Sequence, residues 1–121
     1  MVKNMKKRSA TERYFYPAVF TYYGLGQEIC VDFPDLGVAT SGEDPADALL
    51  SARELLGLTI LGMERDREVI PEPTPISDVP IEANETVALI DVFMPLLRIA
   101  HESKAADIPP EELKEQEAPN G

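Results

Sequence analysis

Alternating apolar and polar residues mark two β-strands near the beginning of the chain. Residues 14–23 (YFYPAVFTYY) and 28–33 (EICVDF) are rich in aromatic and β-branched residues, and Gly24 and Gly26 lie between them. This pattern predicts a β-hairpin. The turn sequence PDLG follows, and the short run 38–41 after it predicts a third strand. The first part of the chain is therefore expected to form a three-stranded meander.

A long helix is predicted directly after the meander. Asp44 is suited to the N-cap, Pro45 to the first helical position, and Asp47 adds negative charge where the helix dipole favours it. At the helical period one face collects the apolar residues, which should lie on the sheet. The residues of this face are Ala48, Leu49, Ala52, Leu55, Leu56, Thr59 and Met63.

Several leucines of the same helix lie away from the face expected to contact the sheet. Either the apolar segment 94–100 of the same chain covers them, or another chain does. The second alternative predicts a dimer or a higher oligomer, because exposed apolar patches mark interfaces. The strand edge near residues 86–93 would contribute to that contact. The predicted interface residues are Leu50, Leu58, Leu61 and Val92.

The rest of the chain is expected to contain one more strand. Four prolines in residues 68–85 exclude helix and a central strand, so this linker should run extended. Residues 86–93 (TVALIDVF) are apolar on both alternating faces apart from Asp91, which predicts an inner strand. Pro17 lacks a backbone donor, so its nitrogen should face a sheet edge or a bulge.

Length and composition favour one small domain. The chain has 121 residues, of which 44% are hydrophobic, enough for a single core. We predict a basic flexible arm over residues 1–13, a domain over 14–101 that includes the proline-rich linker, and an acidic disordered tail over 102–121. One cysteine, Cys30, excludes an intramolecular disulfide, and no segment approaches the roughly 20 apolar residues that span a bilayer. These features predict a cytoplasmic protein.

Charge is distributed unevenly between the arm and the remaining chain. Residues 1–13 carry five basic side chains against Glu12, or +4, whereas the whole chain carries −11, which leaves −15 for residues 14–121. Such a body repels phosphate backbones and attracts basic proteins. DNA binding is therefore expected to be weak or absent.

The sequence offers little for catalysis. His101 and Cys30 are the only residues of their types, and neither has a visible partner, so no catalytic residue, metal ligand or cofactor is predicted. Five acids lie between Asp32 and Asp47. They could be solvated turn and cap residues, ligands of Mg²⁺ or Ca²⁺, or a surface for a cationic partner.

A series of short motifs resembles the HicB-type antitoxin domain. The motifs are YPAVF at 16–20, VDFPDL at 31–36, the helix DPADALLSARELLGLTI at 44–60 and IPEP at 70–73. The resemblance covers roughly residues 14–93. It implies an α+β fold with a partial RNase H-like β-β-β-α-β sheet, one main helix packed on it and, here, a short C-terminal helix. It also implies homodimers or higher oligomers.

The same resemblance implies a non-enzymatic antitoxin that binds and neutralises a small, basic, mRNA-cleaving toxin of the HicA type. Within the acidic stretch we expect the docking surface to contain acids for steering and apolar anchors. Its predicted members are Asp32, Phe33, Pro34, Asp35, Leu36 and Glu43. Two alternatives are a DNA-binding autorepressor that uses the basic arm and a stand-alone HicB-like interaction protein with a different partner.

Overall fold

The computed structural model describes residues 12–107, with side chains described through Glu102. Residues 1–11 of the predicted basic arm and residues 108–121 of the predicted tail, which was expected to span 102–121, lie outside the described residues. The chain forms an α+β fold, which confirms the predicted class. Its elements are β1 (Arg13–Tyr22), β2 (Ile29–Phe33), β3 (Val38–Gly42), α1 (Pro45–Arg65), a 3-10 turn (Ile76–Asp78), β4 (Glu85–Phe93) and α2 (Met94–Asp107).

The four strands form one antiparallel sheet in the order β3-β2-β1-β4. The predicted meander of β1, β2 and β3 is confirmed. The prediction of an inner position for residues 86–93 was wrong, because among residues 12–107 β4 lies at the edge of the sheet and pairs with β1 alone. Its apolar residues on the face away from α1 are not fully buried: Leu89 is 53% exposed and Phe93 38%. Apolar residues on both faces of β4 therefore did not indicate that a strand pairs with it along each edge.

Pro17 lies at a position of β1 where the absence of a backbone N–H removes no hydrogen bond from the sheet. The Tyr22 N–H donates to the Asn84 carbonyl, and the Met94 N–H donates to the Glu12 carbonyl. These two bonds show which alternate residue pairs of β1 and β4 are hydrogen-bonded to each other. Pro17, opposite Leu89, is then at a position that does not bond to β4. Its nitrogen faces the β2 side, where pairing begins only at Val19. This placement agrees with the predicted edge position.

Helix α1 begins as its sequence predicts. The Asp44 side chain accepts the Asp47 N–H at 2.8 Å, and Pro45 is at the first helical position. Asp47 in turn accepts the Glu43 N–H at 2.8 Å, so two N–H groups at the helix start have partners. Gly42 precedes this start, and a Cβ there would lie 2.3 Å from the Ala48 nitrogen. The close crossing of β3 and α1 therefore requires glycine.

The buried face of α1 is rotated from the predicted one. Its buried residues are Ala48, Ala52, Leu56, Gly57 and Ile60. Leu49, which was expected to contact the sheet, is 39% exposed, so that part of the prediction was wrong. The rotation follows from contacts with β4 and α2 beside Gly57: a Cβ there would lie 2.8 Å from Leu97 Cδ2 and 3.2 Å from Val92 Cγ2.

The core lies between α1 and one face of the sheet. It combines alternate residues of β1 and β2 with the buried face of α1, and β4 closes its side. Its members are Tyr16, Ala18, Phe20, Ile29, Val31, Phe33, Ala48, Ala52, Leu56, Ile60, Ile90 and Met94. Burial, and secondarily the nearby Tyr14, raises the pKa of Tyr16 to about 12. Its hydroxyl donates to the Pro71 carbonyl, so this buried polar group has a partner.

The proline-rich segment connects α1 to β4 without regular structure apart from the 3-10 turn, as predicted. The 3-10 turn contacts β4, and Val79 after it is buried. Val19 is also buried, although strand alternation places it on the face opposite α1. We infer that this segment covers part of the second face of the sheet.

Helix α2 packs on α1 and covers some of the leucines that the sequence left unexplained. Arg98 donates to both carboxylate oxygens of Glu64, at 2.9 and 2.6 Å. Leu61 is half-buried, and Val92 contacts the Gly57 region, so these two predicted interface residues contribute to packing within the chain. Leu50 and Leu58 remain exposed, at 62% and 47%.

Candidate functional site

The residues predicted to form one docking surface lie at separate places in the fold. Asp35 is in the turn before β3, and Glu43 follows β3. A strand of this length spans about 17 Å, so these two acids lie near opposite ends of the strand. The acidic stretch is continuous in sequence but does not form a single cluster in space.

Phe33 does not serve as an exposed anchor, so that prediction was wrong. Its side chain is fully buried and belongs to the core with Val31 and Ile29. These three residues share the face of β2 that contacts α1, because alternate residues of a strand point to the same side. Leu36 is half-buried against the same core, whereas Pro34 is exposed.

Asp35 connects the β2–β3 turn to the proline-rich segment. Its carboxylate accepts the Thr74 N–H at 2.9 Å and the Thr74 hydroxyl at 2.6 Å. Both bonds are partly buried and join residues far apart in sequence. The two carboxylate oxygens of Asp35 therefore contribute to the fold, which leaves less of this side chain for a partner.

Asp32 and Glu85, called the acidic pair below, lie on the sheet face opposite α1 and repel each other electrostatically. Burial raises the pKa of Asp32, and the negative charge of Glu85 adds to that rise. Glu85 accepts the Thr21 hydroxyl at 3.3 Å and the Glu82 N–H at 2.8 Å. A half-buried carboxylate beside a like charge is stabilised by an incoming cation. The acidic pair is therefore the place on this face best suited to a lysine or arginine side chain.

Sequence reasoning missed Glu85 because its position depends on strand order. Asp32 is on β2 and Glu85 on β4, and they share one face of the sheet because both strands pair with β1. Thr21 pairs with both Cys30 and Glu85. The alternation of side chains within each strand could have placed Asp32 and Glu85 on one face. That inference also requires the pairing registers of the strands, which the sequence did not provide.

A second acidic group lies at the start of α1. Asp44 and Asp47 are occupied by the capping bonds described above. The Glu43 side chain is exposed beside them. This end of the molecule therefore carries three acids at the positive end of the helix dipole, and Glu43 is the one whose carboxylate makes no capping bond.

Two arginine side chains lie at the other end of β4. Asp91 accepts hydrogen bonds from Arg13 at 2.7 Å and from Arg53 at 3.3 Å. These bonds, that from Arg13 first, hold the pKa of Asp91 below its ordinary value. The Arg13 guanidinium also lies 5.0 Å from the centre of the Phe93 ring. The strand β4 thus has an acidic beginning and a cationic end.

The described residues bring together neither a group of metal-ligating side chains nor the pair Cys30 and His101. No three His, Cys, Asp or Glu side chains among them are placed to hold a metal ion. Cys30 lies on the sheet face opposite α1, whereas His101 is on α2, which packs against α1, so the structure does not bring this pair together. Among the described helices, none combines the length and the hydropathy of a membrane span.

Comparison with known proteins relates the fold to toxin–antitoxin systems. The chain is similar to a chain of a solved structure described as a toxin–antitoxin complex from Streptococcus pneumoniae, with 26% sequence identity and a TM-score of 0.60. The similarity covers 66% of this chain and 69% of the other. No family model matches, and no curated protein matches. The structural likeness supports the toxin–antitoxin class in general.

Proposed function

We propose that the protein is an antitoxin of the HicB type that binds and neutralises a small, basic, HicA-type toxin that cleaves mRNA. The observation that carries the proposal is the similarity over two thirds of the chain to a member of a toxin–antitoxin complex. The ordered HicB-like motifs of the sequence support the finer assignment. We further propose that the protein acts by binding and not by catalysis, since the site geometry favours ionic contact.

The docking surface we propose is centred on the acidic pair Asp32–Glu85. Burial and the charge of Glu85 disfavour the ionised form of Asp32. A lysine or arginine of the toxin would stabilise that ionised form on binding. The negative body of the chain would accelerate the encounter with a basic partner. Glu43 adds exposed charge at the start of α1, and Pro34 offers an exposed apolar contact. Asp35 contributes to the docking surface indirectly, because its bonds to Thr74 hold the β2–β3 turn in place.

The proposal can be tested with a small basic protein as the partner, if one is encoded beside this chain. Growth rescue on co-expression and binding kinetics would be measured for the wild type and for Asp32→Asn combined with Glu85→Gln. We expect the combined variant to associate at least about tenfold more slowly and with weaker salt dependence, because steering charges act mainly on the association rate. Glu68→Gln is a matched control, since Glu68 is exposed just after α1.

Two different failures would have two different meanings. A wild-type chain that neither binds the basic neighbour nor rescues growth contradicts the antitoxin function. A combined variant that stays folded, binds at the wild-type rate and rescues growth contradicts the docking surface while leaving the antitoxin function intact.

A further inference from the structure

The first half of β1 has a neighbouring strand along one of its two edges only. Odd-numbered residues of β1 point their backbone groups toward β2, since the even-numbered ones bond to β4. Pairing with β2 extends as far as Val19 and Asp32. In this register the next facing pair is Pro17 and Pro34, and neither proline has an N–H to donate. The ladder therefore stops there, and the first residues of β1 have no strand on this side.

Arg13 and Phe15 present backbone groups without partners along this edge. Both residues are odd-numbered, so their N–H and C=O groups point to the side that lacks a strand. Among residues 12–107, no backbone group bonds to them from that side. Both residues are exposed, so a ligand can reach them. A strand edge of this kind is a template for a further strand.

The proline-rich segment makes this edge one wall of a groove. Residues 70–73 form the facing wall, and the space between the walls has a volume of about 390 Å³. The Tyr16 hydroxyl donates to the Pro71 carbonyl, which ties the two walls together. Pro71 and Pro73 alternate along the segment and have no N–H, so neither can donate to β1. The backbone groups of β1 are therefore left to a chain that enters the groove.

The charges around the groove favour a basic chain. Residues 66–84, which include the proline-rich wall, carry five acids against Arg67. Glu72 lines the groove and is exposed. After burial and Tyr14, the negative charges of Asp35 and Glu72 contribute to the raised pKa of Tyr16, so both acids lie near the groove. Arg13 also lines it, but its guanidinium is bonded to Asp91. The groove therefore attracts lysine and arginine side chains.

We propose that this groove, called the β1 groove below, binds an extended segment of a basic polypeptide as an added strand in line with β2. The backbone of the segment bonds to Arg13 and Phe15, and its lysine or arginine side chains meet Glu72. Main-chain hydrogen bonds give such a complex its affinity, and alternate side chains give it selectivity. In the proposed antitoxin the segment comes from the toxin, and only this source rests on the proposed function.

A synthetic peptide tests the β1 groove without any toxin. The probe is acetyl-Val-Lys-Val-Lys-Val-amide, added at up to millimolar concentration to the isotope-labelled full chain. We expect saturable shifts of the Arg13 and Phe15 amide signals, and hydrogen exchange at both amides slowed at least about tenfold. Two control peptides have glutamate in place of lysine or methyl groups on the backbone nitrogens. Each should bind at least about tenfold more weakly, because one loses the charge and the other the donors.

Two proline substitutions form a matched pair on two unpaired edges. Phe15→Pro removes an N–H that points into the β1 groove and leaves the bonds to β4 in place, so peptide affinity should fall at least about tenfold. Ala39 is exposed on the edge strand β3, opposite Asp32, and its N–H points away from β2. Ala39→Pro should therefore leave the affinity unchanged. Glu72→Gln alters only an exposed side chain and should weaken binding about threefold.

Several results would overturn the proposal. They are the absence of saturable changes at Arg13 and Phe15, equal binding of either control peptide, and wild-type affinity in Glu72→Gln or in folded Phe15→Pro. Slow exchange of the two amides before peptide is added would also overturn it. At all concentrations it would assign the groove to residues 1–11 of the chain itself, and at high concentration alone to a second copy. A chain that binds the peptide but neutralises no toxin contradicts the antitoxin function alone.

Discussion

The carboxylate of Asp35 accepts two hydrogen bonds from Thr74, one from its N–H and one from its hydroxyl. This relationship joins the turn between β2 and β3 to the segment that follows α1. It also explains why an acid in the middle of an apparent docking motif has a structural role. The distinction between acids that hold the fold and acids that meet a partner can be tested residue by residue.

Asp35→Ala is expected to lower the free energy of unfolding by about 1–3 kcal/mol, because it leaves two partly buried donors of Thr74 without an acceptor. Thr74→Val keeps the N–H bond and should lower it by about half as much. Urea unfolding would measure both. A double variant no more destabilised than Asp35→Ala would confirm the coupling, whereas additive losses would contradict a direct interaction.

Asp44→Ala is expected to lower the free energy of unfolding by about 1 kcal/mol through loss of the cap to the Asp47 N–H. Glu43→Ala is a control at the adjacent position, since Glu43 contributes to the helix start through its backbone N–H, which alanine retains. Thermal unfolding of the two variants without a partner would compare them. Equal losses would mean that general charge, and not capping, stabilises this end of α1.

Asp32→Asn is expected to raise stability at neutral pH by less than about 1 kcal/mol. Burial and Glu85 raise the folded-state pKa of Asp32, so the native protein holds this proton more tightly than the unfolded chain. The cost of ionisation is therefore present above the raised pKa and is absent below about pH 4, the ordinary range of an aspartate. Urea unfolding as a function of pH should show the advantage of the variant disappearing on acidification.

Asp91→Asn should show the opposite sign. Its folded-state pKa is lowered by Arg13 and Arg53, so its stabilising contribution is full above about pH 4 and is lost as the pH falls through the lowered value. The variant is expected to lose about 1 kcal/mol or less at neutral pH, as for other surface ion pairs. If the loss were independent of pH in the same unfolding series, the ion pairs would not be its cause.

Gly57→Ala and Gly62→Ala form a matched pair within α1. Both substitutions gain helix propensity, worth up to about 1 kcal/mol. Gly62 has open space around it, and its variant should be stabilised by about that amount. At Gly57 the new methyl group would press on Leu97 and Val92, and overpacking of about 1–3 kcal/mol should cancel or exceed the gain. Chemical denaturation would measure both, and Leu97→Ala should restore part of the gain at Gly57.

Local sequence signals predicted the elements that depend on nearby residues. The meander and the start of α1 follow from alternation, turn residues and the Asp44-Pro45 cap, all within a few positions of each other. The edge position of β4 was missed because its apolar pattern reflects what covers its faces and says nothing about the number of strand neighbours. Strand order is set by long-range pairing, which one sequence does not reveal.

The candidate site was predicted less well than the fold. Asp32 and Glu43 remain available to a partner, whereas the burial of Phe33 depends on which face of β2 meets α1. Glu85 was missed because residues 23–84 separate it from β1, although the sheet places it on the same face as Asp32. Sites built across several strands require register as well as motif.

The central position of β1 also sets an order for folding. Pairing of β1 with β2 closes only a short turn. Pairing of β1 with β4 requires closure of the long segment 23–84. Contacts between residues distant in sequence form more slowly than local ones, because more chain entropy is lost before they form. Pulsed hydrogen exchange during refolding should therefore protect amides shared by β1 and β2 before those shared by β1 and β4. The β1–β2 hairpin would then form first, and β4, which carries Glu85, would join the sheet afterwards.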